Sequence, residues 1–407
     1  MTPEDVLKSP RLDALQEDLV AGNVAALNAF WEEVAQQGTP LIEPLEGDDQ
    51  HFLVTFLWRG GDESGDVVVN FTLAGQGSGS EALHHLPGTD IWHISYRVRN
   101  DTRDSYQFSV SGTTLTDPLN PRTHVFPGDD GNRTKGWESS VLELPQAPPQ
   151  PWTASRSGVP AGQVTLHRVP SDILGDERRV WVYAPSDYNP DGGPYSLLLL
   201  LDGWFFVHVV PAPTILDNLI ADGLIPPLVA VLVGSVFDKT RSRDLNCYPP
   251  FVDFLTGELI PWVRQNYHIT VDPALTGIGG ASSGGLGAAY AGLRQPGLFG
   301  NVLALSGWFV WKPDDDEAYE WLARQYVTSP RLPLRFYLDA GRYDALAPSP
   351  EAPTLLVTVR HMRDVLLAKG YPVHYAEYSG GHNPMNWQGT LADGLLALLG
   401  KGKGDKD

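Results

Sequence analysis

The chain has 407 residues, of which 42% are apolar and 10% aromatic, and its formal net charge is −20. This length exceeds that of one ordinary domain, and the apolar content excludes intrinsic disorder. The acidic balance argues against nucleic acid and anionic membranes as partners, because both attract positively charged surfaces. The single cysteine, Cys247, excludes an intramolecular disulfide and a metal site built from several thiolates.

The first residues include acids where an export signal would place Lys or Arg, and no apolar run follows them. No apolar run elsewhere in the sequence is long enough to cross a bilayer. We therefore expect a cytoplasmic protein that does not enter the membrane.

The amino-terminal region begins with two predicted helices. Ser9 is a predicted N-cap, and Pro10 fits the first position of the helix PRLDALQEDLV. A second predicted helix, VAALNAFWEEVAQQG, follows Gly22 and Asn23. From His51 the chain changes to β-rich runs separated by turn residues: HFLVTFLWRG, DVVVNFTLAG, DIWHISYRVRN and SYQFSVSG. These runs predict a small β-sandwich.

The stretch TDPLNPRTHVFPGDDGNRTKGWESS has no periodicity, and ELPQAPPQPW is typical of a stiff Pro-rich connector. We place a boundary there, which gives domains at residues 1–155 and 156–407. Beyond it, buried apolar strands such as YSLLLLLDG and LIPPLVAVLVG alternate with helices such as PPFVDFLTGELIPWVRQNY. This alternation predicts an α/β domain with a mostly parallel sheet.

The most informative stretch is ALTGIGGASSGGLGAAYAGL, which contains the pattern G-x-S-x-G from Gly280 to Gly284. In this motif a serine lies on a sharp turn between a strand and a helix, and the flanking glycines avoid a clash. The pattern also arises by chance in glycine-rich loops, so the flanking strand and helix decide the interpretation. Ser282 has the correct spacing for the nucleophile, with Ser283 as the competing hydroxyl. The Ser283 N–H, at the start of the helix, would face a developing oxyanion.

A serine nucleophile needs a base and a group that orients the base. His382 follows an apolar strand and precedes the last helix, where α/β-hydrolases carry the catalytic histidine, although it could also be an ordinary loop histidine. Asp344, in the loop after RFYLDAG, is the preferred acid. Asp339 remains an alternative, and a loop or helix cap is the commoner role for either.

The second oxyanion donor should come from the loop after SLLLLLDGWFF, where the N–H of Gly203 or Trp204 could join that of Ser283. Asp202 is expected to anchor this loop. The sequence has no H-E-x-x-H motif, no Cys pair and no lysine after the glycine-rich run, so we expect no metal and no cofactor. Cys247 is predicted to be a buried apolar residue.

With these residues in place, the chain resembles the enterochelin (enterobactin) esterases, which hydrolyse ferric catecholate siderophores. The likeness is carried by VTFLWRG, GTDIWHISYRV, DPLNP and LPQAPPQPW in the first domain, and by LLDGWFF, TRSRDL, GASSGGLGAAYAGL, LALSGWFVW and SGGHNPMNWQGTL in the second. The resemblance implies an immunoglobulin-like module on an α/β-hydrolase domain that cleaves a serine-ester trilactone and releases iron inside the cell. It also implies Ser282 as nucleophile, His382 as base and Asp344 as acid.

The chain departs from the enterobacterial members at Ser283, where they carry an aromatic residue, and after the histidine, where they carry an acidic one. The loop that carries the acid differs as well.

A ferric tris-catecholate is an aromatic trianion, so its site should combine cations with aromatic rings. The candidate cations and rings are Lys239, Arg241, Arg243, Trp204, Trp308, Trp311 and Trp387. Alternatively, the arginines pair with Asp238 and Asp244, and Trp308 and Trp311 belong to the core.

The expected partner is thus a small ester, with an iron-loaded siderophore as the first candidate. The alternatives are a general carboxylesterase, an esterase of acylated or feruloylated carbohydrates, and a non-catalytic binding protein on a hydrolase scaffold.

Overall fold

The structure is a computed structural model that describes residues 8–61, 65–73, 79–129, 135–235 and 240–400. The chain folds into two compact units. The first unit comprises Met1–Phe126, Gly136–Pro148 and Ser379–Met385, and the second comprises Pro127–Lys135, Pro149–Tyr378 and Asn386–Asp407. The short segment Ser379–Met385, late in the sequence, therefore belongs to the same unit as the amino-terminal residues. Within the described ranges, no helix has both the length and the apolar character needed to cross a bilayer.

The first unit opens with helices α1 (Pro10–Val20) and α2 (Ala26–Gln37), as predicted. Ser9 caps α1, since its hydroxyl accepts the N–H of Leu12 at 3.3 Å. The apolar faces of both helices pack together in one cluster that includes Leu12, Leu15, Phe30, Trp31 and Val34.

The strands of the first unit form two sheets. They are β1 (Leu41–Leu45), β2 (Asp48–Arg59), β3 (Val67–Asn70), β4 (Ser80–Ala82), β5 (His84–His85), β6 (Ile91–Arg99), β7 (Arg103–Val110), β8 (Thr113–Leu115), β9 (Thr123–Phe126) and β10 (Trp137–Glu143). One sheet has the order β1-β2-β6-β5, and the other has the order β4-β3-β7-β10-β9 with β8 beside β7. Buried residues of β2 and β6 share a core with those of β3 and β7, which makes this unit a sandwich.

Strands β9 and β10 lie in a stretch where the sequence showed no periodicity. The burial of β10 does not alternate, because four consecutive residues, Ser139, Ser140, Val141 and Leu142, are all buried. Two of these are serines, so the strand lacks both the period and the apolar content of an ordinary strand.

The second unit is built on a mixed sheet. Its strands are β11 (Gln163–Ser171), β12 (Asp176–Ala184), β13 (Ser196–Leu201), β14 (Leu228–Val233), β15 (Thr276–Ala281), β16 (Asn301–Leu305), β17 (Arg335–Gly341) and β18 (Val373–Tyr378). The order is β11-β12-β14-β13-β15-β16-β17-β18, in which β12 is antiparallel to both of its neighbours, β11 and β14, and all the other pairs are parallel.

The intervening helices cover both faces of the sheet, because separate apolar clusters lie on the two faces. They are α3 (Gly203–His208), α4 (Ala212–Ala221), α5 (Arg241–Leu245), α6 (Pro249–Phe254), α7 (Ile260–Asn266), α8 (Ser283–Arg294), α9 (Trp321–Thr328), α10 (Leu355–Ala368) and α11 (Pro384–Leu399). Helices α6 and α7 are joined through a π-helical turn, Leu255–Leu259, so the predicted helix there is confirmed with one irregular turn.

Candidate active site

Ser282 lies between β15 and α8, on the strand-to-helix turn that the motif predicts. Its backbone has φ 56° and ψ −123°, a conformation that is strained for any residue except glycine. The surrounding backbone enforces this geometry. The Ser282 N–H donates to the Leu305 carbonyl at 2.9 Å, and the Ser282 carbonyl accepts the N–H groups of Leu286 at 3.1 Å and Trp308 at 2.9 Å. The side chain remains half-buried and accessible.

The two glycines of the motif have different roles. A Cβ on Gly280 would lie 2.6 Å from the carbonyl carbon of Gly284, so the chain cannot turn here with a larger residue. A Cβ on Gly284 would meet nothing closer than Asp202 Oδ2, at 3.5 Å. Steric need is therefore strong at Gly280 and weak at Gly284, whereas the sequence pattern treats them alike.

Gly203 and Trp204 begin α3, directly after Asp202, whose backbone is left-handed at φ 64°. A Cβ on Gly203 would lie 2.3 Å from the Leu232 carbonyl oxygen, so only glycine fits. Strands β13 and β15 are parallel neighbours, and their carboxyl ends lie at one edge of the sheet. The turn with Gly203 and Trp204 thus adjoins the turn with Ser283, which is the arrangement that an oxyanion hole requires.

The carboxylate of Asp202 anchors this region, as expected. It accepts the Ser235 hydroxyl at 2.6 Å and two hydrogen bonds from the Arg241 guanidinium, from Nε at 2.9 Å and from Nη2 at 2.6 Å. Arg241, a candidate for substrate binding, therefore forms a bidentate ion pair with a nearly buried carboxylate. The sequence anticipated an acidic partner for Arg241 but not this one.

Arg243 is more exposed and pairs with Asp244 at 2.7 Å, the partner considered in the sequence analysis. Its guanidinium carbon lies 4.9 Å from the ring centroid of Tyr248. The side chain is 43% exposed, against 23% for Arg241. Lys239 and Asp238 lie outside the described residues.

The two candidate acids have contrasting environments. Asp339 lies within β17 and is fully buried, with Oδ1 accepting the Ser306 N–H at 2.7 Å. Burial raises its pKa to about 7. Asp344 lies beyond the end of β17, in the loop that precedes α10, and is 2% exposed. Asp339 thus binds the backbone of Ser306, and the choice of Asp344 as the acid stays a prediction.

Ser306, which the sequence analysis did not single out, is a second strained residue at the same edge, with φ 44°. Its hydroxyl bonds to the Tyr378 hydroxyl at 2.8 Å and accepts the Trp387 indole N–H at 3.2 Å. Trp387 is 5% exposed and belongs to the core, so its indole supports Ser306. The only signal in the sequence was the LALSGWFVW motif.

Trp308 and Trp311, the remaining aromatic candidates, are half-buried and pack at the margin of the core. Trp204 is half-buried as well, with its ring 5.3 Å from that of His208. Cys247 is buried as predicted, and burial raises the pKa of its thiol. Among the residues that the structure describes, no three His, Cys, Asp or Glu side chains are grouped to hold a metal.

His382 lies between β18 and α11, at the predicted place after a strand and before a helix. It belongs to the segment Ser379–Met385 of the first unit and is half-buried. The flanking residues, Gly381 and Asn383, both donate hydrogen bonds to the carboxylate of Asp104 on β7. Asp104 was missed because nothing in its local sequence distinguishes it from other strand carboxylates.

Two family models together match most of the chain. The enterochelin esterase N-terminal model covers residues 53–153, and the putative esterase model covers residues 171–398. The iron(III) enterobactin esterase of Dickeya dadantii is 30% identical over 94% of this chain and 95% of its own length. The chain belongs to the enterochelin esterase family.

Solved members of the enterochelin esterase family share this fold. The ferric enterobactin esterase of Salmonella typhimurium has a TM-score of 0.74 and 26% identity, and the match covers 90% of this chain and 98% of that one. The enterobactin esterase of Shigella flexneri, solved in the presence of enterobactin, has a TM-score of 0.72 and 26% identity, with coverage of 89% and 96%. The predicted α/β-hydrolase fold with an amino-terminal β domain is confirmed, as is membership of an esterase family.

Proposed function

We propose that the protein is a serine esterase that hydrolyses the trilactone esters of a ferric catecholate siderophore such as enterobactin and so releases the iron. The observation that carries this proposal is the strained turn at Ser282, in a chain that matches an iron(III) enterobactin esterase over 94% of its length. The resemblance implies that this step occurs inside the cell, and a cytoplasmic location stays a prediction.

In the proposed acylation step, Ser282 Oγ attacks the ester carbonyl while His382 takes its proton. The tetrahedral intermediate collapses when His382 gives that proton to the ester oxygen of the leaving serine, and the ester C–O bond breaks. A water molecule, deprotonated by the same imidazole, then attacks the acyl-enzyme, and the imidazolium returns the proton to Ser282 Oγ as the acid product leaves. Asp344 orients the imidazole and stabilises its cation.

Charge develops on the carbonyl oxygen during both steps. The proposed donors are the N–H of Ser283, at the start of α8, and that of Gly203 or Trp204, at the start of α3. N–H groups in the first turn of a helix have no partner within the helix, so they are available to a ligand. Removing one donor of this kind typically costs about 3 kcal/mol of transition-state stabilisation.

The proposed substrate is an anion, and the protein carries a charge of −20. Local cations must therefore offset the field of the whole chain. Arg243 is the described candidate with the greater exposed surface, while Arg241 acts through Asp202. Lys239, Trp308 and Trp387 complete the predicted contacts, although the burial of Trp387 favours a supporting position.

The decisive experiment compares Ser282→Ala with Ser283→Ala on ferric enterobactin. Ser282→Ala should lower kcat/KM by at least about 10³-fold, because the nucleophile is lost. Ser283→Ala is the matched control, since it deletes the neighbouring hydroxyl and keeps the backbone N–H, and its rate should stay within a few-fold. A fluorophosphonate should label the parent protein and not Ser282→Ala. An unchanged rate in Ser282→Ala would remove the proposal, and the absence of labelling in the parent would favour a non-catalytic binding protein.

Substrate class requires a separate comparison. We expect the highest kcat/KM on ferric enterobactin, with lower values on p-nitrophenyl butyrate, acetylated xylan and feruloyl esters. Mass spectrometry of the products would show how many lactone bonds are cut. A preference for the sugar esters would support the esterase activity and contradict the siderophore as its substrate.

A further inference from the structure

The segment that carries His382 makes its contacts in the first unit. It leaves the end of β18 at Ser379, clusters with the sandwich through Met385, and continues as α11 in the second unit. The hydrogen bonds that this segment makes with strand β7 therefore decide where His382 lies.

One carboxylate binds the backbone and side chain on either side of His382. Asp104 Oδ2 accepts the Gly381 N–H at 3.1 Å, and Asp104 Oδ1 accepts the Asn383 side-chain amide. Asp104 is 1% exposed, so both bonds are shielded from water. Hydrogen bonds to a buried carboxylate are charge-assisted and stronger than those between neutral groups.

Further contacts fix the entry and exit of the segment. The Arg103 N–H donates to the Ser379 carbonyl at 3.1 Å, and Arg99 Nε donates to the Ser379 hydroxyl at 3.1 Å. At the exit, Asn383 Oδ1 accepts the Met385 N–H at 3.1 Å. The side chain that binds Asp104 therefore also caps the start of α11.

The close approach of Gly381 to the sandwich is steric as well as polar. A Cβ on Gly381 would lie 2.3 Å from Thr72 Oγ1 and 2.5 Å from Thr72 Cγ2. Gly381 does not have a positive φ, so its backbone would accept alanine in the absence of Thr72. The glycine is thus required by a neighbouring side chain of the first unit.

We propose that Asp104 is a positioning residue, which fixes the chain on both sides of His382 and so gives the amino-terminal module a part in catalysis. The inference rests on the proposed role of His382 as base. A displacement of about 1 Å at a reacting group can cost about 10²-fold in rate, so two bonds that hold the neighbours of the base bear directly on turnover.

The first test is Asp104→Asn, in which one accepting oxygen becomes an amide donor and the two bonds can no longer both form. We expect kcat to fall about tenfold to a hundredfold, with KM within about twofold. Asp117→Asn is the matched control, because Asp117 is a buried carboxylate of the same module that binds the Tyr106 hydroxyl at 2.7 Å and the Leu119 N–H at 2.9 Å. An equal loss of kcat in both variants, measured below their unfolding transitions, would overturn the inference.

The second test is a double-mutant cycle with His382→Ala. If Asp104 acts through His382, Asp104→Asn should cost nothing further in the His382→Ala background. Additive losses would place its effect elsewhere and overturn the inference. A full-rate His382→Ala enzyme would instead reject the proposed base, so the two failures are distinguishable.

The third test uses Gly381 and Thr72 and does not depend on Asp104→Asn folding. Gly381→Ala should lower kcat at least about tenfold, because the new methyl group displaces the segment from Thr72. Adding Thr72→Ala removes both atoms that the methyl group meets first and leaves only the Cβ of residue 72, at 3.0 Å. It should restore part of the lost kcat, while Thr72→Ala alone should keep the parental rate. Failure of Thr72→Ala to restore activity would contradict the proposed positioning.

Discussion

The segments that carry Ser282 and His382 are held in opposite ways. At Ser282 the chain is forced into a strained turn by backbone hydrogen bonds and by the close approach of Gly280 to Gly284. At His382 the neighbouring residues are held by hydrogen bonds to the Asp104 carboxylate, and the Thr72 side chain leaves no room for a side chain on Gly381. The turn at Ser282 is therefore specified by residues close to it in the sequence, whereas the His382 segment depends on Asp104, almost 280 positions earlier.

Two further turns at the same edge of the sheet resemble the histidine segment in this respect. Asp202 is fixed by Arg241 and Ser235 in the second unit. Ser306 is held by the buried carboxylate of Asp339. Carboxylates thus stabilise the segments around the strand-to-helix turn at Ser282, which we call the elbow, and the elbow itself relies on small residues.

The largest effect should come from Gly280→Ala. The new methyl group would meet backbone atoms at 2.6 Å, so the turn cannot form, and activity should fall about as far as in Ser282→Ala. In contrast to Gly381→Ala, no deletion of a neighbouring side chain can restore it. Gly297→Ala, with no atom within 4 Å of the new methyl group, is the control. An active Gly280→Ala enzyme would show that the elbow tolerates a larger residue and would contradict its dependence on local small residues.

Arg241→Met should cost the next largest amount. It would leave the buried Asp202 carboxylate with a hydrogen bond from the Ser235 hydroxyl and without its cation, and breaking a buried pair typically costs about 3 kcal/mol. Chemical denaturation of the full chain measures this change. If Arg241→Met instead keeps its stability and loses affinity for ferric enterobactin, the guanidinium binds substrate and does not support the turn.

Asp339→Asn should alter the dependence of stability on pH. Because burial raises the pKa of Asp339 to about 7, the folded protein retains a proton that the unfolded chain loses near pH 4. The parent should therefore lose stability relative to the variant as pH rises, by about 2 kcal/mol between pH 5 and pH 6.5. Parallel unfolding free energies across this range would mean that Asp339 titrates normally.

The smallest effect is expected for Arg243→Met, whose side chain is 43% exposed and pairs with Asp244. Stability should change by less than about 1 kcal/mol. KM for ferric enterobactin should rise a few-fold, and the difference should shrink at high salt, because exposed charges are screened. An equal rise in KM for neutral p-nitrophenyl butyrate would exclude an electrostatic origin.

The comparison also explains what the sequence could predict. The elbow was located because its requirements, a serine between glycines after a strand, lie within a few consecutive residues. The helices α1 and α2 and the buried strands β13 and β14 were predicted for the same reason, since each has a local period or cap. The position of His382 followed from the order of elements in a known fold.

The missed features share a different property. Asp104 gains its role only through Gly381 and Asn383, and Ser306 only through Tyr378 and Trp387. Strand β10 was overlooked because its serines are buried by tertiary packing and not by an apolar period. Contacts between distant parts of a chain leave no periodicity in a single sequence.

The attachment of residues 379–385 to the sandwich has a consequence for biogenesis. On a ribosome the sandwich emerges and can fold long before this segment is made, since domains generally fold in the order of their synthesis. Closure of so long a loop is also entropically expensive, so these contacts should form late. If His382 is the base, as proposed, the nascent chain stays inactive until this segment has joined the sandwich, and activity is gained among the last steps of folding.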